Sequence, residues 1–209
     1  VDGMRKAGFK TIRIPVAWSN MMSDDGKYTI SDAYFNRVEE IMSYALDNDM
    51  YVIVNIHYDG GWWARFGSKT QSERIQAMEK YKSMWTQIAE RFNKYSDKVI
   101  FESANEELGT RLNSTNDYSG SGYYTNVDDL YKLTNEINQT FVDIVRATGG
   151  NNAKRFLLIA GYDTDITKTC DARYQMPKDT IESHLMVSVH YYSPYGYCDI
   201  SDPSNSLYI

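Results

Sequence analysis

Five short apolar runs separated by long amphipathic stretches constrain this chain more than any other feature. The runs cover 10–16, 51–57, 99–105, 155–161 and 185–191. Strands buried on both faces read as near-continuous apolar runs, which is the pattern of a parallel sheet. Between the runs the period becomes helical. Tyr34, Phe35, Val38, Ile41, Met42, Ala45 and Leu46 form one stripe over 31–50. Ile75, Met78, Trp85, Ile88 and Phe92 do the same over 71–95, and Leu130, Leu133, Ile137, Phe141 and Ile144 over 127–147. Ser31 is placed to cap the first helix, its hydroxyl taking up a free backbone N–H. Gly149-Gly150 stops the third, as glycine does past a helix C-terminus.

Strands alternating with helices imply right-handed βαβ units and an α/β fold. A doubly wound sheet and a (β/α)8 barrel both satisfy that order. A dinucleotide fold would put a glycine-rich turn directly after a strand. Here Gly60-Gly61 is followed by Trp62-Trp63, too bulky to cradle a phosphate. The 209 residues suit one domain, 1–209, with a sizeable core. A net charge of -6 argues against a nucleic-acid partner, which needs a basic patch. No apolar stretch approaches the ~20 residues of a membrane span. Cys170 and Cys198 are too few for a disulfide framework and too far apart for a metal motif. Pairing and two free thiols both remain open. Aromatic residues make up 14% of the chain, which suits sugar rings and an ordinary core equally.

The polar residues at the ends of the runs carry the functional argument. The third run ends in Asn105-Glu106, within Val-Ile-Phe-Glu-Ser-Ala-Asn-Glu-Glu. A carboxylate at the end of a buried strand costs free energy unless something uses or satisfies it. Glu106 is therefore a candidate general acid. Glu102 shares its parity, and residues two apart on a strand point to one side. Asn55 and His57 share a parity on the second run, and Ser188, His190 and Tyr192 on the fifth. The first run carries Arg13. Any one of these alone reads as a satisfied core group. Four strands sending polar groups to one end read as a site, and in a barrel that end is the active face. The chemistry suggested is carboxylate acid–base work. His184, the third histidine, precedes a strand and reads as structural. No carboxylate or thiol stands at ligand spacing beside the histidines, which argues against zinc. No Gly-x-Ser-x-Gly elbow supports serine hydrolysis.

Together, Arg13 in Ile-Arg-Ile-Pro-Val, Asn55-Ile-His57, Asn105-Glu106 and His190-Tyr-Tyr192 resemble glycoside hydrolase family 5, the cellulase family. Their order matches strands two to six of its (β/α)8 barrel, over essentially the whole chain. The resemblance implies a retaining, endo-acting hydrolase of β-1,4-linked glucan, extracellular, monomeric in its catalytic domain and without a cofactor. Mannan or xyloglucan are alternative substrates. Glu106 would protonate the leaving oxygen and then activate water. Asn105 would bond the sugar 2-OH, a contact that strengthens in the transition state. Arg13 would keep the nucleophile ionised by its charge. His57 would bind hydroxyls, and His190 and Tyr192 would position substrate and nucleophile. Trp62 or Trp63 would stack on a glucosyl ring, with core packing the competing role. Two departures stand out: Glu107 where the family usually has proline, and Tyr58 where many members have a second histidine. By alternation Glu107 should point away from Glu106.

Retaining hydrolysis needs two carboxylates ~5 Å apart. In the family the nucleophile is a glutamate ending strand seven, expected here beyond residue 209. The chain opens on Val1, and the expectation is a fragment of a longer enzyme, inactive and poorly soluble alone. Asp59, Asp163 and Asp165 are the candidates for a second carboxylate inside the chain, although loop aspartates more often bind hydroxyls or cap helices. The loop over 107–127, with Arg111, Asn113 and Tyr118, is expected to influence substrate choice. Two readings of other classes remain at this point: a non-catalytic carbohydrate-binding barrel and an unrelated barrel enzyme with a phosphate substrate.

Overall fold

A computed structural model describes residues 1–57 and 60–198, without the side chains of 196 and 197. The expectations that fall on Tyr58 and Asp59 lie outside the described residues. Each apolar run yields one strand: β1 (Thr11–Ile14), β2 (Tyr51–Asn55), β3 (Val99–Glu102), β4 (Leu157–Ala160) and β5 (Leu185–Ser188). The helices are α1 (Asp2–Lys6), α2 (Asp32–Leu46), α3 (Gln71–Phe92), α4 (Val127–Ala147), α5 (Ile166–Thr169) and α6 (Tyr195–Cys198). All strand pairs are parallel, and the order across the sheet is β1-β2-β3-β4-β5. Every crossover therefore advances the same way. A doubly wound sheet reverses direction at a switch point. The unbroken order is the arc of a (β/α)8 barrel.

One face of the sheet packs on the helices. Phe101 of β3 lies 5.7 Å from Trp85 and 6.5 Å from Phe92 of α3, ring centre to ring centre. Trp85 in turn meets Phe141 of α4 edge-on at 4.5 Å. The opposite parity on the strands carries Arg13, Asn55 and Glu102. Each ladder stops before its apolar run does, at Asn55, Glu102 and Ser188. The polar residues beyond are thus released from strand geometry at the same end of the sheet.

Two helical expectations are corrected. Ser31 occupies the cap position of α2, but its hydroxyl makes no capping bond; instead its carbonyl accepts from Tyr34 and Phe35 N–H, both at 3.0 Å. The side-chain caps fall on Asn126 at α4 and Asp165 at α5. Ile75 is 51% exposed rather than part of the α3 stripe. The buried stripe contains Ala77, Tyr81, Trp85, Ile88 and Phe92. Two residues from Ala77 is about 200° of helical rotation, which puts Ile75 on the far face. Cys170 and Cys198 are both free and exposed. No helix among the described residues is long and apolar enough to cross a membrane.

Arg155, just ahead of β4, is fully buried and holds the sheet to α3. Its guanidinium donates to the carbonyls of Phe92, Tyr95, Ser96 and Val99 and to Asn152 Oδ1. The last turn of α3 and the start of β3 are satisfied by this one side chain, as helix C-terminal carbonyls must be when buried. Burial pulls the Arg155 pKa down to about 10, with the Arg146 charge adding to the effect, so it stays protonated at neutral pH. Arg155→Ala removes all five of these bonds, although Phe92 O and Ser96 O still accept Tyr95 N–H and Val99 N–H. We expect a loss of at least about 3 kcal/mol in denaturant unfolding, and a change below ~1 kcal/mol would contradict this role.

Candidate active site

The site begins where β3 leaves the sheet. Ser103 N–H still donates to Leu158 O at 2.9 Å, continuing the ladder. The next donor on β4, Ala160 N–H, goes to the Ser103 hydroxyl at 3.0 Å rather than to a carbonyl. That hydroxyl donates onward to Asn138 Oδ1 of α4 at 2.8 Å, and Asn138 Nδ2 donates to Ala160 O. The Ser103 carbonyl is turned to α3, where Tyr81 OH and Trp85 Nε1 donate to it. Ser103, Asn138, Tyr81, Trp85 and Ala160 are all buried, and these bonds turn the chain out of the sheet. It exits as Asn105-Glu106.

Arg13, Glu102 and Asn105 meet beneath this exit. Arg13 Nε donates to Glu102 Oε2 at 2.7 Å and Nη2 to Asn105 Oδ1 at 2.8 Å. Ser188 Oγ donates to Glu102 Oε1 at 2.9 Å. On β2, Asn55 Oδ1 accepts Val16 N–H, and its carbonyl accepts Trp18 Nε1–H. These bonds fix the segment after β1 against the end of β2. His57 Nδ1 lies 3.3 Å from Asn55 Nδ2. Burial pushes the His57 pKa down and the nearby Arg13 charge pushes the same way, so the ring is neutral at neutral pH. A neutral imidazole can both donate to and accept from hydroxyls.

Glu106 Oε1 accepts from His190 Nδ1 at 2.6 Å and from Tyr192 OH at 2.9 Å. Its side chain is 27% exposed. Burial raises its pKa, but the bonds from His190 and Tyr192 and the charge of Arg111 outweigh burial, and the net shift is downward. In this arrangement Glu106 is ionised at neutral pH. A general acid must be protonated, so the acid role requires a neighbouring negative charge that raises the carboxyl again. Glu107 is buried and its Oε2 accepts Asn105 N–H at 2.9 Å, so it turns back onto its own loop.

Glu106, Thr110, Arg111, Lys168, His190 and Tyr192 help line a cleft of about 780 Å³. Two loops form its wall and are tied through Asp163. Asp163 N–H donates to Leu108 O at 2.7 Å, and Asp163 Oδ1 accepts Thr110 N–H and the Thr110 hydroxyl. Gly109 makes this approach possible: its φ is +118°, and a Cβ there would collide with Asp163. Asp163 Oδ2 also pairs with Lys168 Nζ at 2.7 Å, while Asp165 caps α5 through Lys168 N–H. Both aspartates are thus engaged in loop structure. His190 N–H donates to Thr164 O at 2.8 Å, which sets the ring against Glu106.

The tryptophans take the packing role. Trp62 and Trp63 are 7% and 2% exposed and stack on each other at 4.5 Å. Lys80 Nζ sits 4.7 Å from the Trp62 ring centre, and Trp63 packs on Tyr81. Trp63 is thus enclosed by other rings, while Trp62 still borders a cavity of about 330 Å³ beside Arg65 and Lys80. His184 stacks on Phe156 at 4.5 Å, away from the site, in agreement with its structural reading. Sequence reasoning missed Ser103 and Asn138. The available signal was a buried asparagine interrupting the α4 stripe between Ile137 and Phe141.

The geometry can be set beside known proteins. The chain is 36% identical over 204 residues to the xyloglucan-specific endo-beta-1,4-glucanase BoGH5A of Bacteroides ovatus, covering 98% of this chain and 38% of that protein. It is 36% identical over 211 residues to endoglucanase A of Paenibacillus barcinonensis, covering 94% of this chain and 49% of that protein. Its fold superposes with a TM-score of 0.79 on a glycoside hydrolase 5 lichenase from Caldicellulosiruptor sp. F32 in complex with cellotetraose. That match has 37% identity and covers 93% of this chain and 51% of the other. The chain thus spans half or less of the length of the curated relatives described. The model of the cellulase family, glycosyl hydrolase family 5, matches residues 1–206, and the chain belongs to that family.

Proposed function

We propose that this chain carries the acid/base part of a retaining hydrolase that cleaves β-1,4-linked glucan. The observation that carries the reading is Glu106, which stands at the exit of β3 in an open cleft, with Asn105 beside it and His190 and Tyr192 bonded to its carboxylate. The protonated carboxyl gives its proton to the leaving glycosidic oxygen. The carboxylate then takes a proton from the water that attacks the glycosyl intermediate. The downward shift of Glu106 suits the second step. The first needs a nucleophilic carboxylate ~5 Å away, whose charge raises Glu106 before the glycosyl bond forms. In the family that group is a glutamate ending strand seven. Neutral His57 and the Asn105 amide hold sugar hydroxyls. This chemistry requires no metal or cofactor.

The relatives named for endo-β-1,4-glucan and xyloglucan hydrolysis, and the lichenase that binds cellotetraose, support a β-glucan substrate. Xyloglucan is the second reading, because one relative is specific for it and the open cleft leaves room for a branched backbone. A polymer of this kind is met outside the cell, so we place the enzyme there, with a monomeric catalytic domain.

Glu106→Gln removes the proton donor and is expected to lower turnover of β-glucan by roughly 10²–10⁴-fold. An aryl glycoside with a good leaving group should lose much less in the glycosylation step. Unchanged hydrolysis of β-glucan would remove Glu106 from the mechanism. Tyr192→Phe deletes one of the two bonds that hold Glu106 down. Carboxyl-labelled NMR titration should show the Glu106 pKa moving up. Catalytic steps that need the ionised form should then be lost at a higher pH as the medium is acidified. An unmoved titration would contradict this electrostatic account.

A further inference from the structure

Glu102 is a fully buried carboxylate that the proposed chemistry does not use. Both of its oxygens are engaged, Oε2 by Arg13 Nε at 2.7 Å and Oε1 by Ser188 Oγ at 2.9 Å. The three side chains come from β3, β1 and β5, which are not neighbours in the sheet. No ladder bond links these strands, so the side chains themselves make the tie. Arg13 has a second partner, Asn105 Oδ1, at 2.8 Å from Nη2.

We propose that Glu102 is a positioning residue that fixes Arg13 and, through Arg13, decides which end of the Asn105 amide meets the sugar. A guanidinium only donates. Held by Glu102, it takes the oxygen end of the amide. The end left for a ligand is Nδ2, which also only donates. Asn105 therefore meets a sugar hydroxyl as a donor to its oxygen. The flipped amide would set two donors against each other and strand the oxygen. Without Glu102, Arg13 loses the partner that orients its plane, and the choice of amide end is lost with it. The proposal rests on the reading of Asn105 as the residue that binds the sugar 2-OH.

The test uses the full-length protein and two aryl β-cellobiosides, one with the 2-hydroxyl on the ring beside the scissile bond and one 2-deoxy there. Glu102→Gln, Asn105→Ala and the double variant are compared with wild type, with thermal melts as the folding control. For Glu102→Gln, kcat/KM on the 2-hydroxy substrate should fall by about 10–100-fold, the scale of a misplaced contact. The loss on the 2-deoxy substrate should stay within about 3-fold, and so should the further loss when the change is added to Asn105→Ala. Equal losses on the two substrates, or losses that multiply with Asn105→Ala, would overturn the positioning role and leave Glu106 chemistry intact. A wild-type protein that turns over neither glycoside would overturn the functional reading, and this proposal with it. If Glu102→Gln does not fold, Glu102→Asp keeps the charge, draws the carboxylate back from Arg13 and is judged by the same criteria.

Discussion

The Ser103 hydroxyl stands where a ladder bond between β3 and β4 would otherwise form, and the cleft depends on that replacement. A regular strand would continue the pleat through Asn105 and Glu106. Here the Ser103 carbonyl swings to Tyr81 and Trp85 of α3, while its hydroxyl satisfies Ala160 N–H and Asn138. The Ser103 carbonyl and hydroxyl, the Asn138 amide and the Ala160 N–H and carbonyl all keep partners, which is the condition for bending a strand inside a core. The bend delivers Asn105 towards Arg13 and Glu106 towards His190. The partner loops are fixed separately, by Asp163 bonded to Leu108 and Thr110 and by Thr164 bonded to His190. Glu106 therefore sits between two hydrogen-bonded loops.

Arg155 and the Arg13–Glu102 pair handle charge differently. Arg155 is surrounded by carbonyls and serves the fold. The Arg13–Glu102 pair is placed under the site and serves orientation. Glu102 is the buried member of that pair, whereas the Arg13 side chain is 30% exposed and partly screened by water. Both arrangements resist rearrangement, which is what a site built on preorganised hydrogen bonds needs. Glu106 differs from them: it is partly open to solvent, and its bonds to His190 and Tyr192 favour the charged form.

Much of this was legible in the residues. Alternation of apolar runs with helical stripes identified all five strands and the three long helices, because burial dictates both periods. Parity along the runs picked out Glu102, Asn55, His57, Ser188 and His190 as sharing one end of the sheet, and Arg13 joined them as the charged residue inside the first run. It worked because those residues lie on strands or just past them. Parity does not extend to Glu107, which lies past the bend and is buried with Asn105 N–H on its carboxylate. The tryptophans were not legible: an aromatic ring has the same composition whether it faces sugar or another ring. In the structure both rings lie buried in the turn over 62–67 and stack on each other. Ser103 and Asn138 were missed because their roles depend on two elements meeting in space, and Ser31 because a carbonyl performs the task assigned to its hydroxyl.

The central claim is that the scissile bond of a β-glucan lies against Glu106, with Asn105 donating to the neighbouring 2-OH. A crystal structure of the full-length Glu106→Gln protein with cellotetraose bound tests it directly. The account predicts a glycosidic oxygen within hydrogen-bond reach of the residue-106 carboxamide, and Asn105 Nδ2 on the 2-hydroxyl of the adjoining ring. A sugar chain bound elsewhere, or one that turns away from Asn105 and Glu106, would contradict it.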